Sequence, residues 1–149
     1  MREVDFKDLP SLAGQEIGVS DWLEITQERV NKFAEATGDH QWIHVDVERA
    51  EREMGGTIVH GYLTVSLLPA LGGGMLVVNG VTRGINYGSD KVRFLNMVKV
   101  GKRVRLRQKL LAVEPKAGGL QLRNECTMEI EGETKPACVA ETITVLYGG

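Results

Sequence analysis

Residues 61–71, GYLTVSLLPAL, decide the fold, because apolar side chains occupy nearly every side of the helix that this segment predicts. A helix that is hydrophobic all round is a buried helix. Pro69 predicts a kink or a break within it. The wider apolar zone, residues 62–78, is interrupted by two hydroxyl side chains, the proline and a run of three glycines, which argues against a membrane span. The segment therefore predicts a central helix that the rest of the chain must cover.

Downstream of the glycines, the hydrophobic pattern changes from helical spacing to alternation. The alternating apolar residues are Val104, Leu106, Leu110 and Ala112 in residues 103–112, and Leu120, Leu122, Cys126, Met128 and Ile130 in residues 120–131. Alternation of this kind is typical of antiparallel strands with one buried face and one solvated face. Together with residues 81–94 and 137–147, and with turn-like sequences between the segments, it predicts four consecutive strands paired as a meander.

These elements predict an α+β fold with a single domain over residues 1–149. Looser alternation in residues 17–25 adds a strand, which gives a sheet of about five strands. A long antiparallel sheet wrapped around a long buried central helix is a hotdog fold. One sheet leaves its own edge and part of the helix uncovered, so we expect a second copy of the chain to cover them, as a homodimer.

Two further helices are predicted upstream of the central one. Residues 27–37 have apolar side chains at helical spacing, Thr26 is a suitable N-cap, and Gly38 ends the helix. Asp46 predicts the N-cap of a second helix over residues 47–53. The polar loop between these two helices is therefore held at both ends by capped helices.

The composition excludes several classes of function. The net charge is −2, and no aromatic residues interleave with the basic ones, so we expect no nucleic-acid partner. The N-terminus lacks the apolar core of a secretory signal, and two cysteines do not make a disulfide framework, so we expect a reduced cytoplasmic setting and no membrane association. Neither glycine-rich phosphate-binding motif is present, and no cofactor is expected.

The loop contains Asp39 and His44, five residues apart. A carboxylate and an imidazole that converge on a water molecule can polarise it, accept a proton and return one. The alternative is a capping aspartate beside a surface histidine, which is the more common role of such residues. The residues alone leave both interpretations open.

His60 and Gly61 stand where the central helix is predicted to begin. A backbone N–H at that point could stabilise a negative oxygen, and a glycine would allow close approach of a substrate. Gly61 could equally be a packing position. A metal site that uses Asp39, His40, His44, Asp46 and His60 is the weaker hypothesis: His40 and His44 are four residues apart, but no C-x-x-C pair accompanies them.

Basic residues on the outer face of the predicted strands, between Lys91 and Lys109, could be a solvated surface. One or two of them could instead meet the phosphates of a nucleotide-bearing thioester.

The pattern Phe33-(x3)-Thr37-Gly38-Asp39-(x4)-His44-(x5)-Ala50 resembles the hydratase motif of the MaoC-like (R)-specific enoyl-CoA hydratase/dehydratase family. Residues 55–67, GGTIVHGYLTVSL, are similar to the family's glycine-histidine-glycine start of the central helix. The segments GDHQWIHVD, INYG, KVRF and KPACVAE resemble the nodulation-protein-N-like branch. The resemblance covers nearly the whole chain.

The resemblance implies a hotdog dimer that adds water reversibly to a trans-2-enoyl-CoA and yields an (R)-3-hydroxyacyl-CoA. It implies that Asp39 and His44 hold the catalytic water and that Gly61 donates its backbone N–H to the thioester oxygen. Gln41 and His60 would support them. Gln41-Trp42 replaces the Asn-Pro of many hydratases, and residues 95–98, LNMV, lack a proline that relatives usually carry.

Two other functions stay open at this point. The chain could bind acyl thioesters without turning them over, or it could be a hotdog thioesterase that hydrolyses them. The sequence does not define the acyl chain length, nor whether CoA or an acyl carrier protein delivers the substrate.

Overall fold

The computed structural model describes residues 2–149. Its eight strands and five α-helices are β1 (Arg2–Asp5), β2 (Glu16–Val19), β3 (Leu23–Glu24), α1 (Gln27–Thr37), α2 (Trp42–Val45), α3 (Val47–Met54), α4 (Gly61–Ser66), α5 (Leu68–Gly72), β4 (Leu76–Asn79), β5 (Val81–Phe94), β6 (Arg103–Lys116), β7 (Gly119–Ile130) and β8 (Cys138–Gly148). A 3-10 helix, Phe6–Leu12, follows β1.

The main sheet has the order β2-β6-β7-β8-β5, and β3 also pairs with β6. It is antiparallel throughout. Its inner face contributes Val104, Leu106, Met128 and Ile130 to one buried cluster, which also contains Leu63, Leu67 and Leu68 of the central helices. The sheet therefore covers the central helices as a hotdog fold requires, and this part of the prediction is confirmed.

The strand order corrects the predicted meander. β5 pairs with β8 and not with β6. The connecting residues, 95–102, therefore do not form a hairpin between β5 and β6. They bond to the segment before α4, where the Val59 N–H donates to the Val98 carbonyl at 2.8 Å. Alternation fixes which face of a strand is buried, but it does not identify the neighbouring strand.

A bulge corrects the predicted position of Ala112. Leu110 lies opposite Asn124, but Ala112 lies opposite Arg123 and Val113 lies opposite Leu122. The extra residue at Leu111 moves Ala112 to the outer face and Val113 to the inner one, because an inserted residue inverts the alternation beyond it.

The central helix is in two parts. α4 ends at Ser66, and α5 starts at Leu68 and carries Pro69 near its beginning. The predicted break thus occurs slightly before the proline, which cannot donate a backbone hydrogen bond. Tyr62 and Ser66 are exposed on one side of α4 in the single chain, so the sheet covers only part of the helix.

The N-terminal part differs from the predicted single strand over residues 17–25. It forms two short strands, β2 and β3, that both pair with β6. β1 and β4 are additional to the predicted strands and make a separate parallel pair.

α1 agrees with its predicted bounds, and α3 ends one residue beyond its predicted end. The described part of the chain has no helix that is long and apolar enough to cross a membrane.

Candidate active site

Two capped helices hold the loop that contains Asp39 and His44. Thr26 Oγ1 accepts a hydrogen bond from the Arg29 N–H at 3.1 Å at the start of α1. Gly38 ends α1 at φ +82°, a left-handed conformation that glycine adopts readily. At the far end, Asp46 Oδ1 accepts from the Arg49 N–H at the start of α3. The loop therefore leaves α1 in a defined direction and turns at once into the short helix α2.

His44 lies in α2 and is only 6% exposed. Its Nδ1 is 2.7 Å from the carbonyl oxygen of Ile58. Because a carbonyl can only accept, Nδ1 must carry the proton, and Nε2 of the neutral ring has a free lone pair. The fold thus fixes both the tautomer and the orientation of this imidazole.

His60 stacks on His44, with ring centroids 3.9 Å apart and an interplanar angle of 24°. It is 2% exposed, and its Nε2–H donates to the backbone carbonyl of Asp39 at 3.1 Å. Its Nδ1 has no hydrogen-bond partner in residues 2–149. Burial lowers the pKa of His60 below its ordinary value, although the contact with the Asp39 carbonyl acts in the other direction. His60 is therefore a neutral side chain that holds the backbone at Asp39.

Asp39 is exposed, and hydrogen bonds hold both its backbone and its carboxylate. Its N–H donates to Thr37 Oγ1 at 3.4 Å, and its Oδ1 accepts from the Gln41 N–H at 3.3 Å. A carboxylate oxygen of Asp39 and ring nitrogens of His44 and His60 lie within 4.8 Å of one another. The structure therefore brings these three predicted residues together. Gln41 contacts Asp39 through its backbone N–H.

Gly61 opens α4 and lines a cavity of about 510 Å³ together with His44, Thr64 and Phe94. A Cβ atom at position 61 would lie 3.1–3.3 Å from three ring atoms of Phe94. A side chain at this position would therefore press on the cavity wall. Because Gly61 has no side chain, its backbone lies directly against the ring of Phe94 at the cavity wall.

The geometry of the three side chains does not suit a metal ion. Imidazole lone pairs lie in the ring plane, so those of two stacked rings run nearly parallel and do not converge on one point about 2.1 Å from each nitrogen. The Nε2 of His60 is also directed at a backbone carbonyl. The cluster is better suited to proton transfer than to coordination.

Gln27 also supports the site, and it is not among the predicted site residues. Its Nε2 donates to the His44 carbonyl at 2.8 Å, and its Oε1 accepts from Thr57 Oγ1 at 2.6 Å. Gln27 thus connects the first turn of α1 to α2 and to the segment before α4. No sequence signal reveals this role, because its partners are 17 and 30 residues away.

Three arginines of β6 on the outer sheet face are paired with acidic residues. Arg105 pairs with Glu129 at 2.7 Å, and Arg107 pairs with both Glu16 and Glu129. Arg103 pairs with Glu131. The pKa of Glu129 is lowered, chiefly by the hydrogen bond from Arg105. This surface is therefore a network of ion pairs, which favours the solvated-face interpretation over a phosphate site.

The MaoC like domain family matches residues 8–127, and the chain belongs to this family. The chain is 54% identical over 138 residues to 3-hydroxyacyl-thioester dehydratase Z of Mycobacterium tuberculosis (strain ATCC 25618 / H37Rv), with 91% of each chain covered. It is 45% identical over 150 residues to Nodulation protein N of Rhizobium leguminosarum bv. viciae, covering 98% of this chain and 93% of that one. The resemblance stated from the motifs is thus confirmed, including its nodulation-protein-N-like branch.

Solved structures agree on the fold. The unliganded R-hydratase PhaJ1 of Pseudomonas aeruginosa superposes with a TM-score of 0.75 at 22% identity, covering 92% of this chain and 83% of that chain. The (R)-hydratase of A. caviae gives a TM-score of 0.72 at 23% identity, covering 89% and 94% respectively. The chain is therefore a hotdog protein of a dehydratase and hydratase family that acts on acyl thioesters.

Proposed function

We propose that the protein is an (R)-specific enoyl-CoA hydratase, which adds water reversibly to a trans-2-enoyl-CoA and yields an (R)-3-hydroxyacyl-CoA. One observation carries the proposal. The Asp39 carboxylate lies within 4.8 Å of a ring nitrogen of the buried, tautomer-fixed His44, and His44 shares a cavity with the Gly61 backbone. The names of the relatives support the reaction class, since one is a 3-hydroxyacyl-thioester dehydratase and two structural neighbours are (R)-hydratases.

In the proposed mechanism, a water molecule is held between the Asp39 carboxylate and Nε2 of His44. One of these groups removes a proton while the water oxygen bonds to C3 of the substrate. The C2–C3 double bond shifts its electrons toward the thioester carbonyl, and the group that took the proton from water, assisted by the other group, delivers that proton to C2. The dehydration runs through the same steps in reverse.

Gly61 stabilises the oxygen that becomes negative. Its N–H donates to the thioester oxygen, whose charge grows as the enolate forms. The wall beside Gly61 is the apolar ring of Phe94, and an apolar neighbour strengthens a hydrogen bond because it lowers the local dielectric constant. His60 and Gln41 position Asp39 through its backbone carbonyl and its carboxylate.

The decisive test follows the loss of enoyl-thioester absorbance with crotonyl-CoA as substrate. We expect Asp39→Asn and His44→Ala each to lower kcat by about 10²–10⁴, the usual contribution of general acid or base catalysis. His40→Ala is the matched control, because His40 is an exposed histidine in the same loop and is expected to keep the native rate. Native rates in both active-site variants would refute the mechanism.

The same assay separates the two other functions. A thioesterase would release free CoA thiol, which a chromogenic disulfide reagent detects, while hydration leaves the thioester intact. A binding module would hold crotonyl-CoA and consume none of it. We expect an acyl-CoA to be the substrate and the cytoplasm to be the site of action, in keeping with two free, buried cysteines.

The homodimer is part of the proposal. β5 is the edge strand of the main sheet, and exposed apolar side chains lie on it and around the site cavity: Tyr62, Ile85, Tyr87, Phe94, Leu95 and Met97. An unpaired edge with this much exposed apolar surface is typical of an interface. Light scattering should give twice the chain mass of 16.4 kDa, and Ile85→Glu should shift the protein toward monomer. A monomeric native protein at micromolar concentration would contradict the dimer.

A further inference from the structure

A second cavity, of about 860 Å³, lies between the central helices and the inner face of the sheet. Val65, Ser66 and Pro69 form its helix wall. The sheet wall carries six uncharged polar side chains: Asn86, Ser89, Gln108, Asn124, Thr142 and Thr144. No charged side chain and no histidine lines it within the described part of the chain. Leu106, Cys126 and Leu146 line the same wall, so it is a mixed surface in which uncharged hydrogen-bonding groups lie among apolar ones.

Asn124 is the most informative member of this wall. It interrupts the apolar stripe of β7 between Leu122 and Cys126, and it is only 7% exposed. Gln108 Nε2 donates to Asn124 Oδ1 at 3.0 Å. Each amide has two N–H donors and one carbonyl acceptor, so this bond leaves the Asn124 amide nitrogen and the Gln108 carbonyl without side-chain partners.

These spare groups face the cavity. Among the side-chain atoms of residues 2–149, only Nδ1 of His60 is both fully enclosed and without a partner. The spare donor of Asn124 and the spare acceptor of Gln108 are therefore accessible from the cavity. A polar group that replaces an apolar one in a core destabilises the fold unless something bonds to it. The amide pair is accordingly suited to a ligand that both donates and accepts hydrogen bonds.

Gly72 leaves room for this arrangement. A Cβ atom at position 72 would lie 3.0 Å from Oε1 of Gln108. Any side chain there would push the Gln108 amide away from the helix wall. The glycine therefore keeps open the space that the Gln108 carbonyl faces.

The cavity is related to the candidate active site through α4. Gly61, at the first residue of α4, lines the site cavity, and Ser66, at the last, lines the second one. With a rise of 1.5 Å per residue, these positions are separated by about 8 Å along the helix. A substrate whose thioester lies at Gly61 would extend along α4 to place the distal part of its acyl chain against Asn124 and Gln108.

We propose that this second cavity binds the distal acyl chain, and that Gln108 and Asn124 select chains with an uncharged hydrogen-bonding substituent, such as a hydroxyl group. The inference rests on the proposed hydratase function. It names the substrate class as medium-length enoyl thioesters with an oxygenated tail, in preference to simple hydrocarbon chains.

The test compares two substrates with the same number of heavy atoms in the acyl group: an octenoyl-CoA with a terminal hydroxyl group, and nonenoyl-CoA. We expect the native protein to have a kcat/KM about five- to tenfold higher for the hydroxylated chain, the effect of one net hydrogen bond. Asn124→Leu and, separately, Gln108→Met should remove or reverse this preference. Crotonyl-CoA is too short to reach the second cavity, so its turnover shows whether each variant keeps a folded active site.

Gln121→Leu is the matched control, since Gln121 lies on β7 opposite Glu114 and does not line the cavity. It should keep the native preference. Equal kcat/KM values for the two substrates in the native protein would overturn the inference, as would a preference that survives both cavity variants. If the native protein fails to hydrate crotonyl-CoA, the proposed function fails by itself. Calorimetric binding of the saturated hydroxyoctanoyl-CoA and nonanoyl-CoA then tests the inference directly, and equal affinities would refute it.

Discussion

Gly61→Ala is expected to separate stability from activity. The added Cβ would lie 3.1–3.3 Å from Cδ1, Cε1 and Cγ of Phe94. Carbon atoms pack best at about 3.5–4.0 Å, so the ring must move by a few tenths of an ångström. Phe94 is 49% exposed and has room to move. We therefore expect the strain to be about 1 kcal/mol, at the low end for overpacking. Alanine regains about 0.5–1 kcal/mol over glycine in a helix, so the free energy of unfolding should change by less than about 1 kcal/mol.

The rate should respond much more strongly than the stability. The new methyl group lies beside the N–H that is proposed to meet the thioester oxygen. Removing one such donor elsewhere lowers kcat by about 10²–10³. Here the donor is obstructed but not removed, and we expect a loss of at least about tenfold. Phe94→Leu in the same chain should restore the stability and leave the rate low.

Urea denaturation and steady-state kinetics with crotonyl-CoA measure the two effects in parallel. Gly74→Ala is the control, because a Cβ atom at position 74 would contact nothing within 4 Å. It should keep both the native stability and the native rate. A stably folded Gly61→Ala protein with full kcat would refute the role of the Gly61 N–H. A fall in kcat that only follows the loss of folded protein would mean that the glycine serves packing.

Two further predictions concern the residues that support the site. Gln27→Leu should destabilise the fold by about 1–3 kcal/mol, because it leaves the His44 carbonyl and the Thr57 hydroxyl unpaired. Gln27→Glu keeps the acceptor for the Thr57 hydroxyl but has no donor for the His44 carbonyl. In urea denaturation it should lose less stability than Gln27→Leu, and in steady-state kinetics it should still lose activity. A fully active Gln27→Glu would show that the bond to His44 has no catalytic role. Burial lowers the pKa of His60 below its ordinary 6.5, so below that pH the unfolded chain binds a proton that the folded chain does not. As the pH decreases below 6.5, the free energy of unfolding should therefore decrease, by up to about 1.4 kcal/mol per pH unit, until the folded-state pKa is reached. Denaturation of the native protein and of His60→Phe at pH values above and below 6.5 tests this expectation. The free energy of unfolding of His60→Phe should lack this part of the pH dependence, and the same pH dependence in the native protein and the variant would contradict the expectation.

The parts of the fold that depend on local interactions could be predicted from the sequence. The bounds of α1 follow from the Thr26 cap, the helical spacing and Gly38, all within one segment. The inner face of β7 follows from alternation. The strand order, the bulge at Leu111 and the β1–β4 pair depend on contacts between distant segments, and no local pattern encodes them.

The candidate site shows the same division. The loop position of Asp39 and His44 could be predicted, as could the place of Gly61 at the start of the central helix. The stacking of His60 on His44 requires residues 16 positions apart to meet, and Gln27 acts through partners even farther away. Asn124 carries no local signal because its neighbours in β7 form an apolar stripe, and only its contact with Gln108 gives it a role.

The break between α4 and α5 divides the central helix into two units with different neighbours. α4 carries Gly61 and contacts β8, while α5 packs on β6. Pro69 cannot donate a hydrogen bond to the preceding turn, so the two units are not joined by a continuous ladder. Substitutions in α5 should therefore reshape the far wall of the second cavity with little displacement of Gly61. Relatives that catalyse the same reaction can therefore differ in their preference for acyl chains through substitutions in α5 alone.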